Sequence, residues 1–228
     1  MGKLTRRAFV LALALAGYPA GASAPAAVAP RETGVLLLPA LDTEPWAPNV
    51  LAQRQLVVRW RLEHDFIERR FRVSGEALAE RAAGLEPKID LGRDGARTPA
   101  NLDELARRAG AAWVVSLTVE EVAEDNPPDP SHFRCHCRIL TRIRDAAHHR
   151  WLADGPAVGH DDSGSSSPVW LFMSAIDDAT RAAVAPVLSP YPAAVKVARI
   201  GSIGDYLAGQ TEPFVGDPAR EFSGLKPQ

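Results

Sequence analysis

Past position 30, the first apolar run is unbroken: Val35, Leu36, Leu37 and Leu38 follow Gly34 and stop at Pro39. A short continuous run closed by Pro predicts a buried first strand. From Asn49 to Arg70 the pattern changes, with Leu51, Val58, Leu62 and Phe66 at helical spacings among Arg, Glu and Gln. This predicts an amphipathic helix. The same segment also alternates, since Leu56, Val58, Trp60 and Leu62 interleave with Val57, Arg59, Arg61 and Glu63, and length favours the helix over the strand. Phe71-Arg72-Val73 reads as a short strand, and Ser74 as the cap of a helix running through Ala83 to Gly84. The charged, glycine-containing stretch from Leu85 to Arg97 reads as a surface loop. Thr98 and Pro99 supply an N-cap and first helical position for a helix carrying Leu102, Leu105 and Ala106 and ending at Gly110.

The second half is richer in strands. Residues 112–122 predict a strong one, and the prolines in Asn126-Pro127-Pro128-Asp129-Pro130 place Glu124 to Ser131 in a loop. From His132 to Arg144 the alternation is clear. Phe133, Cys135, Cys137, Ile139, Thr141 and Ile143 share a core face; His132, Arg134, His136, Arg138, Leu140, Arg142 and Arg144 share a basic, wet one. Asp145 to His148 forms a turn into a strand around Trp151 and Leu152. A Ser-rich loop, His160 to Ser166, leads to Ser167 and Pro168 as cap and first position of a helix with Val169, Phe172, Ile176 and Ala183 on one side, ended or bent at Pro186. The order of strand, helix, strand, two helices, three strands and helix predicts an α/β (α+β) two-layer sandwich, a mixed sheet with helices mainly on one face.

The amino terminus has a different pattern. Thr5-Arg6-Arg7-Ala8-Phe9-Val10, the apolar run Leu11 to Ala16 and the following small residues form the three-part layout of a bacterial signal peptide. The segment resembles the twin-arginine signature, carried by Arg6, Arg7 and Phe9, and implies a periplasmic destination. Cleavage after Ala22 fits better than after Ala24, where Pro25 would follow. Gly17, Pro19, Gly21 and Pro25 interrupt the uncharged stretch too often for a stable membrane span. The expected organisation is a signal peptide over 1–24, a disordered junction over 25–33, one domain over 34–188 and an irregular tail over 189–228. Removal of Lys3, Arg6 and Arg7 leaves 23 basic against 28 acidic residues, a net charge of −5, which disfavours a nucleic-acid partner.

Three stretches then carry a family resemblance: Val35-Leu36-Leu37-Leu38-Pro39; the helix 102–109 running into Gly110-Ala111-Ala112-Trp113-Val114-Val115; and the strand 138–145 turning back through Arg150-Trp151-Leu152. Over 34–188 the chain is similar to the amino-terminal domain of TolB and to related domains of curli-secretion and penicillin-binding-protein-activator lipoproteins. The resemblance implies a non-enzymatic envelope domain that binds another envelope protein, and it carries over no catalytic residue.

Chemistry-bearing residues are sparse. Five of the six histidines, His132, His136, His148, His149 and His160, fall in one hairpin region beside Asp161 and Asp162. Imidazole and carboxylate suit zinc or copper, which makes His136, His148, His149 and His160 candidate ligands and a periplasmic metal-binding protein the alternative function. Surrounding arginines oppose a cation. Cys135 and Cys137 are i, i+2 on a strand, at the edge of disulfide reach, and read as small core residues. Asp42 and Glu44 follow the first strand's carboxyl end, where α/β proteins place ligands. Either they or the Ser163 loop could serve an unrecognised hydrolase. Glu120 and Glu121, as strand neighbours, should face opposite ways. Gly92-Arg93-Asp94-Gly95 lacks the Lys-Ser or Lys-Thr pair of a phosphate loop, and no cofactor signature is identified.

Overall fold

A computed structural model of the chain describes residues 32–45, 48–125, 134–161 and 168–194. Its elements run β1 (Gly34–Leu37), β2 (Leu41–Asp42), α1 (Pro48–Glu68), β3 (Arg72–Ser74), α2 (Glu76–Gly84), α3 (Pro99–Ala109), β4 (Trp113–Asp125), β5 (Arg134–Asp145), β6 (Arg150–Asp161) and α4 (Pro168–Leu188). The six strands form one mixed sheet in the order β3-β1-β4-β5-β6, with β2 also paired to β4. Strands β1, β2, β3 and β4 run parallel to their neighbours; β4-β5 and β5-β6 are antiparallel. The fold is α/β.

The two long helices, α1 and α4, cover one face. Their core includes Val57, Val58, Leu62, Phe66, Leu171, Ile176 and Ala179 against Val35, Leu37, Val115, Leu117, Cys137 and Ile139. The other face is covered mainly over β1 and β4, where α2 and α3 bury Ala79, Ala82, Leu102 and Leu105 on Leu36, Leu38 and Val114, with Trp151 of β6 packed at the margin. The expected two-layer packing therefore gains a partial third layer. The unbroken apolar run of β1 is its cause, because both faces of that strand need cover.

Local signals operate as the residues dictate. The Thr98 hydroxyl accepts from the Asn101 amide at 3.3 Å, Pro99 follows, and Gly110 closes α3 at φ 65°. Beyond Gly110, the Arg108 guanidinium, almost fully buried, donates to the carbonyls of Ala82, Leu85 and Pro87 and ties α3 to the end of α2. Ser74 is not a cap: it ends β3, and Gly75 caps α2 without a side-chain hydrogen bond.

Three boundaries differ from the pattern reading. Strand β4 continues to Asp125, so Glu124 is not loop. Strand β6 runs twelve residues through Gly155, Pro156 and Gly159, so His160 is a strand residue too. Arg97 is buried although its segment reads as surface. Helix α4 continues past Pro186 to Leu188, and Tyr191 beyond it packs on Phe71 at 5.1 Å between ring centroids, so the first residues after 188 join the core. No described helix is long and apolar enough to cross a membrane.

Candidate functional site

The carboxyl end of β1 is the topological switch point of the sheet, since the chain leaves β1 through α1 to β3 on one side and later reaches β4 on the other. Open α/β sheets bind ligands at such crevices. Here each side of the crevice holds an arginine of the chain itself. On the α1 side Arg54, 2% exposed, places Nε 2.8 Å from Asp42 and Nη1 2.8 Å from Glu44. The second carboxylate oxygen of Glu44 accepts the Val122 amide at 3.1 Å, and Asp42 accepts the Glu44 amide at 3.0 Å. Burial pushes the Asp42 carboxyl up, against the opposing pull of the Glu44 amide and Arg54. The acidic pair is thus the counter-charge of a buried guanidinium rather than a ligand site, and a hydrolytic role for Asp42 is not supported.

On the opposite side Arg97 donates to the carbonyls of Pro39 at 2.6 Å and Leu91 at 2.9 Å and to the Ser116 hydroxyl at 2.8 Å. Desolvation lowers its pKa to about 10. Beside it a recess of about 340 Å³, lined in part by Thr98, Arg142, Trp151 and Asp154, opens to solvent. Its charges are paired: Arg142 lies 2.7 Å from Asp94 and 3.8 Å from Asp154.

A third buried arginine links the two long helices. Arg61 of α1 meets Asp177 of α4 through two hydrogen bonds of 2.6 and 2.7 Å and stacks its guanidinium over Trp60 at 4.7 Å. Such a bidentate pair fixes the angle and register of the helices as well as adding energy.

The histidine candidates separate into two groups. His148 and His149 occupy the β5-β6 turn, where His148 faces Asp145 at 2.9 Å and His149 faces Asp103 at 2.8 Å. Asp103 also takes a bidentate contact from Arg144, whose hydrogen bonds hold its carboxyl below the usual range with help from His149. His136 and His160 lie at the far end of the hairpin, about 30 Å away at the strand rise per residue. There they are cross-strand partners with ring centroids 6.3 Å apart. The four histidines therefore cannot serve one ion together. His132, Asp162 and the Ser163 loop lie outside the described residues, as do Arg6, Arg7 and Phe9.

Two acidic residues join His136 and His160. Asp125 lies 2.7 Å from His136 Nδ1 and 3.9 Å from His160 Nδ1, and Glu121 lies 3.9 Å from His136 Nε2. Glu121 is there because of a β-bulge. The register of β4 shifts between Val119 and Glu121, so Glu120 pairs with Arg138 at 2.9 Å while Glu121 approaches His136 on the same face. The expectation that these two glutamates point apart is corrected. Core positions run Trp113, Val115, Leu117, Val119 and then Val122, and that break in parity is the sequence signal for the bulge.

A second group of metal-ligating types, His64, Asp65 and Glu68, lies on one turn of α1. Asp65 already lies 3.4 Å from Arg61, and Glu68 lies 3.3 Å from Arg69. Cys135 and Cys137 are fully buried and unbridged; desolvation pushes their thiols up to about 11 and about 12, which leaves them protonated and inert.

No protein-family model and no curated protein matches the chain. Several solved structures are similar to it at low identity. Lipoprotein GNA1162 from Neisseria meningitidis is 18% identical, with 62% of this chain and 91% of that one covered and a TM-score of 0.43. A PelC dodecamer from Paraburkholderia phytofirmans is 15% identical over 69% and 90%, with a TM-score of 0.42. The LpoB C-terminal domain from Salmonella enterica is 14% identical over 59% and 86%, with a TM-score of 0.35.

Proposed function

We propose that this chain is a non-catalytic periplasmic protein-interaction domain, exported by a twin-arginine signal over residues 1–24, and that its partner is another envelope protein. The observation that carries the reading is the half of the sheet face over β5 and β6 that no described helix covers. Leu140 sits opposite Pro156 there, and Val158, opposite Arg138, is 46% exposed. The charges around this apolar strip are already paired within the chain, Arg138 with Glu120 and Arg142 with Asp94. A partner could thus cover the strip without leaving an uncompensated charge.

The face, and not the sheet edge, is the surface offered. The His160 amide points outward from the sheet and donates to Asp178 at 3.1 Å, so Val158 and Pro156 share its outward direction at spacings of two. Pro156 has no amide to give an added strand, and Asp178 takes that of His160. The resemblance of residues 34–188 to envelope domains agrees with this reading. At the switch point, Arg54 and Arg97 are held by groups of the chain itself.

A photo-crosslinking amino acid at position 158 tests the reading in cells. The expected result is a discrete adduct with an envelope protein, lost on Leu140→Arg and missing when the crosslinker replaces exposed Arg81 on α2. Adducts that do not differ between positions 158 and 81, or that survive Leu140→Arg, would refute it. The export route is tested separately: Arg6→Lys with Arg7→Lys should retain the precursor in the cytoplasm, and unaltered export would exclude the twin-arginine path.

A further inference from the structure

We propose that His136, His160 and Glu121, supported by Asp125, form a binding site for one borderline divalent transition metal of the zinc, copper(II) or nickel class. The site adjoins the apolar strip on the same sheet face, His160 lying two residues beyond Val158, but its metal-binding test does not depend on the role of the strip in partner binding. Three strands build it. His136 of β5 and His160 of β6 are register partners, and the β4 bulge delivers Glu121 to the same face, with Asp125 four residues further along it. Their side chains are 25%, 65%, 51% and 39% exposed, so all four can adjust at little packing cost and an ion can reach them from solvent.

The strand register brings the ligand groups to one face, although their ligating atoms are not yet gathered as tightly as those of His64, Asp65 and Glu68. Bonds of 2.0–2.1 Å to nitrogen or oxygen put neighbouring ligand atoms of a tetrahedral ion about 3.3 Å apart. The gap between His136 Nε2 and Glu121 Oε1 is 3.9 Å, and the two imidazole centroids are 6.3 Å apart with rings tilted by 45°. His160 Nδ1 lies 3.9 Å from Asp125, so binding requires the exposed His160 and Glu121 side chains to turn toward His136 Nε2. Asp125 takes the supporting role: with His136 Nδ1–H donating to its carboxylate at 2.7 Å, the lone pair of Nε2 is left on the side of Glu121. A carboxylate behind a ligating imidazole fixes the tautomer and raises the basicity of the ligand nitrogen. Three protein ligands leave a fourth position to water.

Electrostatics favour the cation, contrary to the expectation from the many arginines. Arg138 is paired with Glu120 and Arg142 with Asp94, whereas Glu121 and Asp125 put two negative charges beside two imidazoles. Imidazole nitrogens select against magnesium and calcium, which prefer oxygen-only sites. The His64 group has the compositional ingredients too, but its acids face Arg61 and Arg69, which compete with an ion.

Zinc binding to the full chain, prepared without a histidine tag and stripped of metal, is the test, measured by competition with a chromophoric chelator. One zinc per chain is expected, undisturbed by excess magnesium. His136→Gln and His160→Gln should each weaken it by about tenfold or more, and Asp125→Asn by about tenfold through the supporting hydrogen bond. His64→Gln and the double variant His148→Gln/His149→Gln should bind as the parent does. Far-UV circular dichroism checks that each variant is folded. The proposal is overturned if the parent binds no zinc, if either His136→Gln or His160→Gln binds like the parent while folded, or if His64→Gln removes the binding.

Discussion

Gly159 lies directly against the backbone of α4, and replacing it by Ala tests the packing directly. A Cβ placed on Gly159 would lie 2.6 Å from both Ala179 Cα and the Asp178 carbonyl carbon, and closer still to the Ala179 amide nitrogen. Ordinary contacts to a Cβ begin near 3.4 Å, so helix and strand must separate by more than about 0.8 Å. No rotamer can relieve this, because every atom met is backbone. Overpacking typically costs about 1–3 kcal/mol, and an all-backbone clash belongs at the upper end. Against this, Ala for Gly recovers about 0.4–1 kcal/mol of chain entropy. The net expectation is a loss of about 2 kcal/mol, or roughly 4–8 °C in Tm for a domain of this size. Gly84 is the internal control, since a Cβ there meets nothing within 4 Å, and Gly84→Ala should be neutral or slightly stabilising. Urea denaturation of both variants, followed by tryptophan fluorescence, measures the difference. A Gly159→Ala protein as stable as the parent would show that α4 does not seat on β6 at this residue.

Arg54→Ala should destabilise the fold by about 3–5 kcal/mol, because it leaves the buried Asp42 carboxylate without its cation. The double change Arg54→Met with Asp42→Asn should recover most of that loss, and a chemical-denaturation cycle across the two sites would detect its failure to do so. Native Cys135 and Cys137, with thiols up to about 11 and about 12, should resist alkylation at pH 8 and react only as the protein unfolds; labelling as fast as that of a free thiol would contradict their burial. Hydrogen bonds from Arg107 and Arg108 lower the Glu104 carboxyl from 4.5 to about 2. A carboxyl depressed on folding adds stability above its unfolded pKa and loses it as pH falls, so the contribution should fade between pH 4.5 and about 2. Glu104→Gln should flatten the stability profile in that window, and an unchanged profile would count against the assignment.

Most of the architecture was legible because its signals are local. The spacing of Leu51, Val58, Leu62 and Phe66 reports the face of α1, all but Leu51 being buried, and Thr98, Pro99 and Gly110 mark both ends of α3 through their own backbone chemistry. Strict alternation in β5 puts Cys135, Cys137, Ile139 and Ile143 inside, as their positions imply. The buried arginines were not legible. Arg54, Arg61 and Arg97 look like solvated charges in any window of sequence, and what buries them lies far along the chain: Asp177 is 116 residues from Arg61, and the Pro39 carbonyl is 58 from Arg97. A charge can sit in the interior only with such partners, so its burial is a property of the tertiary fold.

The histidines show how one misread element changes a site. Gly155, Pro156 and Gly159 carry the marks of a strand that ends after Leu152, yet β6 continues to Asp161. Each exception has a reason in the position of β6 at the sheet edge. Pro156 faces outward, where no ladder hydrogen bond is lost, and Gly159 lies beneath the backbone of α4, where a side chain would not fit. Once β6 runs its full length, His148 and His149 are carried to one end of the hairpin and His160 to the other, opposite His136. The bulge after Val119 then turns Glu121 toward the same pair. The candidate metal site thus follows from two departures from regular strand pattern, an edge proline and an extra residue in β4, and removing the extra residue tests the register. Deletion of Glu120, the residue skipped in the ladder, should leave Glu121 opposite Arg138 and Val122 opposite Cys137 on the core face, so retained zinc affinity is expected. Lost affinity in a folded deletion variant would mean that Glu120 is not the extra residue and that Glu121 does not keep this register.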